Sequence, residues 1–121
     1  MGIALVYLAR FFAGAFLANA VPHFVSGLQG RPFPTPFASP PGKGESSPTL
    51  NVIWGTANAA IGYFLLYRVG SFTLTHSREV LVAGLGGFLM ALRLSKHFGA
   101  VYAAKQSGRD NRGDSRADAS N

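Results

Sequence analysis

At 121 residues the chain has room for one domain at most, and its lack of cysteine excludes a disulfide framework, thiolate metal sites and thiol catalysis. Hydrophobic residues make up 48% and charged residues only 13%, about half the charged share of an ordinary soluble domain. The net charge of +6 is carried in loops and at the ends of apolar runs, which fits orientation in a membrane and argues against nucleic acid as a partner.

The first apolar run, Ile3 to Val21, is interrupted only by Arg10. Its 19 residues approach the ~20 needed to cross ~30 Å of hydrocarbon, and helix is the one local structure that satisfies its own backbone in lipid. Pro22 marks the expected end or a kink. Ala18-Asn19-Ala20 imitates a signal-peptide cleavage site, but no basic residue precedes the apolar core and Arg10 interrupts it, so a membrane span is the better reading.

All seven prolines fall between Pro22 and Pro48, which forbids a continuous helix or a central strand there. Arg31 to Phe37 alternates proline with other residues and favours extended, polyproline-like backbone. Gly42 to Ser47 reads as turn and loop. Gly42-Lys43-Gly44 is not a phosphate-binding loop, because the spacing and the preceding strand are missing. Phe33 and Phe37 are expected at the headgroup level, folding the loop (22–48) back onto the helix ends, with Arg31 beside them as a contact residue.

The second run, Leu50 to Tyr67, contains no charge and is the most secure span by that criterion. Ser47, Thr49 or Asn51 can cap its start, with Pro48 tolerated in the first turn. At 100° per residue, Asn51, Gly55, Asn58 and Gly62 form a narrow stripe expected to meet other helices. The third run begins near Glu79. Its charge-free part, Val80 to Leu92, is too short to span unaided, but it reaches span length through Phe98 if Arg93 and Lys96 extend their heads to water. Glu79, Ala83, Gly87, Met90, Leu94 and His97 share one face. Residues 105–121 have no large aliphatic or aromatic side chain and are expected to form a disordered polar tail.

The expected fold class is therefore all-α: a helical bundle in one membrane domain (1–104), with spans at about 3–21, 50–67 and 79–98. Counting lysine and arginine near the spans places the proline-rich loop and the C-terminus on the cytoplasmic side of a bacterial cell membrane. Two groups could carry chemistry. Arg10, buried in a span, has Glu79 as its natural partner; it is an anion or substrate contact, a structural tie to Glu79, or an arginine that snorkels to the headgroups. At the opposite face, Asn19 and His23 leave the first helix, Asn51 begins the second with Asn58 further along it, and Arg93 and His97 end the third. That set is a candidate polar binding site under the loop, or simply interhelical glue. No nucleophile–base arrangement follows from spacing, so no catalytic residue, metal ligand set or cofactor is expected, and an enzyme is the less favoured reading.

Arg10-Phe11-Phe12-Ala13-Gly14, followed by His23-Phe24 and Gly27, resembles the first helix and exit of DoxX-like small membrane proteins, and the chain as a whole resembles small bacterial multi-span membrane proteins of uncharacterised role. DoxX-like proteins usually have four spans, whereas three are found here. Thr49-Leu50-Asn51-Val52 with Gly55 and Gly62 is also similar to the second helix of small fluoride channels, but the glycine-rich opening and Thr-Phe-Ser signature are missing, which excludes that assignment. The resemblance implies an α-helical membrane fold and assigns no reaction. The favoured function is an accessory or structural membrane protein in a homo-oligomer or larger complex, with the lipid bilayer as its surroundings. The alternative is a small transporter or channel subunit with Arg10, Asn51 and Asn58 along a polar path for an anion or small solute.

Overall fold

The computed structural model describes residues 2–120. Three helices account for most of the chain: α1 (Ile3–Leu28), α2 (Pro48–Tyr67) and α3 (Ser77–Ala119). A minimal antiparallel ribbon, β1 (Phe33–Pro34) with β2 (Glu45–Ser46), closes the loop between α1 and α2. The fold is all-α apart from that ribbon. Two helices, α1 and α3, are long and apolar enough to cross a membrane. The charge-free α2 is not in that pair. Its Asn51, Asn58 and glycine stripe, which faces α1, lowers its apolar content even though no charge interrupts it.

α1 is the centre of the bundle. α2 packs antiparallel on one side of it and α3 packs parallel on another, while α2 and α3 hardly touch each other. Small residues permit both contacts. Asn51, Gly55, Asn58 and Gly62 of α2 are all buried, and a Cβ at Gly55 would lie 2.7 Å from the backbone nitrogen of Phe24. On the α3 side, Gly14 lies against the Ala83 carbonyl and Gly86 against the Phe11 carbonyl, so backbone meets backbone.

Three expectations change. α1 does not stop at Pro22 but runs through it to Leu28. The lost hydrogen bond is outweighed locally because Ala20, His23 and Gly27 continue the packing surface against α2. The true stop is Gly30, whose φ of 70° suits glycine alone at little cost; its N–H bonds the Gly27 carbonyl and that of Arg31 the Ser26 carbonyl, the left-handed cap of a helix end. Second, residues 105–119 are helical, not disordered: once α3 is nucleated by its packed half, each added residue gains a backbone bond at low cost. Lys105 bonds Glu45 and Gln106 bonds Tyr102 at the start of this extension.

Third, the extended backbone expected over 31–37 is confined to its first half: Phe33–Pro34 is strand and a turn follows at 36–37, while the loop does fold back onto the helix ends, as a cap. Thr35 is fully buried, its hydroxyl paired with that of Ser46 and accepting from the Phe37 N–H. The Thr35 carbonyl accepts from Ala38 and Gly42.

Candidate functional site

The loop is fastened by Asn51 in the first turn of α2. Ser47 caps that helix by accepting from the Leu50 N–H, with Pro48 at its first position. Helix geometry then turns Asn51 inward, where it is fully buried. Its Nδ2 donates toward the carbonyls of Phe33 (2.9 Å), Ser46 (3.2 Å) and Ser47 (3.1 Å). This orients the amide, so Oδ1 accepts from His23 Nδ1 at 2.9 Å. His23 therefore carries a proton on Nδ1, and its Nε2 makes no hydrogen bond among the described residues. Asn51→Ala removes the shared donor of three carbonyls. It is expected to cost about 1–3 kcal/mol and to raise protease cleavage within 31–47, measured by limited proteolysis in detergent.

Aromatic packing completes the seal. Phe33 lies 4.6 Å from Phe98 and 5.4 Å from His23, centroid to centroid. Phe37 stands edge-on to Trp54 at 4.9 Å, with 63% of its surface exposed. His97 Nε2 donates to the Gly42 carbonyl at 2.7 Å, tying the loop to α3. Arg31 is exposed.

Under this cap lies a cavity of about 380 Å³. α1 forms its floor, α2 and α3 its walls, and Pro34 to Pro36 its roof. Five of the six residues expected to form a polar site line it, Asn19, His23, Asn58, Arg93 and His97. Asn51 stands behind His23 and holds it. Asn19 Nδ2 donates to Asn58 Oδ1 at 2.9 Å, and Asn58 Nδ2 to the Trp54 carbonyl at 2.8 Å. The rest of the wall is apolar, including Phe12, Phe16, Met90 and Leu94. Arg93 is the one charged residue in the lining.

The second cluster lies at the other end of the bundle. Arg10 is 0% exposed. Its Nε donates to Glu79 Oε2 at 2.6 Å, and its Nη1 donates to the carbonyls of Leu65 (3.0 Å) and Val69 (2.7 Å). The guanidinium also lies over Phe72, 5.2 Å from the ring centroid. One residue of α1 thus joins the C-terminal end of α2 to the first turn of α3. Both helix ends favour the arrangement, since a cation suits α2's carbonyl end and a carboxylate suits α3's amide end. Glu79 Oε1 is 3.4 Å from His76 Nδ1. Nη2 of Arg10 is buried without a partner among the described residues.

Sequence reasoning missed Thr35, Trp54, Phe72 and Phe98. Thr35 sits between two prolines, the one hydroxyl in that run. Phe72 and Phe98 carry no local signal, because their roles arise from helices distant in sequence. The chain matches no known protein family, no characterised protein and no solved structure.

Proposed function

We propose that the chain is a small integral membrane protein of accessory or structural type, crossing the bilayer three times and working within a homo-oligomer or larger membrane complex. The observation that carries this reading is the use made of the buried polar groups. Arg10, Asn51 and Asn58, which a conducting path would need, are each enclosed and bonded to neighbouring helices or to the loop. Their chemistry is spent on holding the bundle together.

The outer surface supports the membrane part of the proposal. Leu81 is 71% and Phe88 61% exposed, and Leu85, Leu89 and Leu92 continue that face of α3. Such a surface is costly in water and ordinary in lipid. The alternating helix directions bring the loop and the end of α3 to one side, which the lysine and arginine count assigns to the cytoplasm. Phe33 is occupied internally, so Phe37 and Arg31 are the loop residues left to meet a partner.

Cross-linking in intact cells followed by sizing in mild detergent tests this proposal. Wild type is expected to run above monomer size, with Phe37→Ala lowering the assembled fraction by about threefold, since a centrally placed aromatic can contribute over ~1 kcal/mol to an interface. In the same cells, single cysteines at Ser39 and Ser115 are expected to resist an impermeant thiol reagent. Anion flux in proteoliposomes, abolished by Arg10→Gln in a protein that keeps its helicity and assembly, overturns the accessory reading. Labelling of both cysteines from outside reverses the orientation.

A further inference from the structure

The cavity beneath the loop has a definite shape. Its floor follows α1 from Phe12 to His23, about 16 Å at 1.5 Å rise per residue. Spread over that length, 380 Å³ gives a mean cross-section of about 24 Å², so the space is several times longer than it is wide. Because α2 and α3 both rest on α1 and hardly touch each other, the space is a cleft between two helices, stopped at one end by the proline-rich cap.

The lining changes character along the cleft. Phe12, Phe16, Met90 and Leu94 give apolar walls, while Arg93 and His97 lie on the α3 turns nearest the cap. Among the described residues, none that lines the cavity is acidic. The wall also contains Trp54. Arg93, exposed at the cleft with no acid beside it in the lining, is the group there that would meet an oxygen-bearing anion. The long narrow apolar remainder asks for a chain.

We propose that this cleft binds a single-chain amphiphile with an oxyanion head, a carboxylate or a phosphate, its head between Arg93 and the cap and its tail along Phe12, Phe16 and Met90. The proposal is independent of any protein partner and rests on the membrane reading only in that both place the chain in lipid. Arg93 supplies the charge, the Pro34–Pro36 segment closes the head end, and His23, held by Asn51, forms part of the wall beside it.

Trp54 is the single tryptophan of the chain and lies in the cavity wall, so its fluorescence reports occupancy. The full chain is placed in phosphatidylcholine nanodiscs and titrated with dibromostearate, whose bromine atoms quench indole at contact. Quenching is expected to saturate at low mole fraction and to be reversed by oleate. Matched dibromo-phosphatidylcholine is expected to quench weakly and in proportion to its mole fraction. Arg93→Gln should weaken the apparent affinity by about tenfold, as loss of a charge-assisted bond does. Ala15→Leu, which narrows the bore without altering charge, should reduce the maximum quench. Competition by lysophosphatidate in place of oleate supports the site and assigns a phosphate head; competition by oleate assigns a carboxylate. Equal, unsaturable quenching by dibromostearate and dibromo-phosphatidylcholine means ordinary lipid contact and overturns the proposal. So does saturable quenching that both variants leave unchanged. A chain that fails to enter nanodiscs overturns the membrane reading and this proposal together, whereas one that enters without saturable quenching overturns this proposal alone.

Discussion

Arg10→Leu is expected to destabilise the protein by about 3–5 kcal/mol, the cost of leaving one member of a buried ion pair alone. The geometry makes the loss unequal between the partners. Glu79→Leu removes one acceptor and leaves Arg10 bonded to the carbonyls of Leu65 and Val69. Arg10→Leu strands Glu79, which lies partly buried, and also frees two carbonyls at the end of α2. The arginine variant should therefore unfold at lower denaturant than the glutamate variant. The double variant should recover part of the loss, because two apolar side chains replace an unpaired charge. Equilibrium unfolding in mixed micelles measures all four corners of the cycle. Additive losses would show that Arg10 and Glu79 act separately despite the 2.6 Å bond.

Gly86→Leu is the second large effect, with an expected loss of about 2–3 kcal/mol or more from overpacking. A Cβ at Gly86 falls on the Phe11 carbonyl, and one at Gly14 falls on the Ala83 carbonyl. Backbone cannot swing aside as a side chain can, so α1 and α3 must separate along their whole contact. Gly84 supplies the comparison within the same helix: nothing lies within 4 Å of its Cβ position. Gly84→Ala should be neutral or stabilising by up to ~1 kcal/mol from helix propensity. Thermal unfolding of the two variants side by side separates packing from propensity. Equal behaviour at both positions would contradict the close approach of α1 and α3.

Much of the helical architecture can be read in the chain because it follows from periodicity. The stripe Asn51, Gly55, Asn58 and Gly62 shares one face by rotation alone, and that face lies on α1. The pairing of Arg10 with Glu79 is readable because one acid flanks the apolar runs on that side. What cannot be read is whatever depends on contacts between distant segments. Pro22 looks like a stop until the surface around His23 and Gly27 is seen to need the helix beyond it. The stop signal at Gly30 is present in the sequence, but seven prolines nearby obscure it. The compact cap depends on Thr35 meeting Ser46 and on Asn51 reaching three carbonyls, pairings that composition does not reveal. The helical state of 105–119 was concealed by its polar composition, which speaks against a core and says little about the extension of a helix already formed.

The length of α3 has a mechanical consequence. From Gly86, where it presses on α1, to Ala119 it extends about 50 Å at 1.5 Å per residue. That makes the helix a lever with its fulcrum at the glycine contact. A tilt of about 10° there carries Ala119 through roughly 9 Å, on the same helical geometry, while shifting the wall at Met90 by only about 1 Å, since Met90 lies one turn from the pivot. The cap steadies the arm partway along, through His97 and Lys105. A change of tilt at the glycine contact would therefore reach the charged tip of the arm enlarged severalfold.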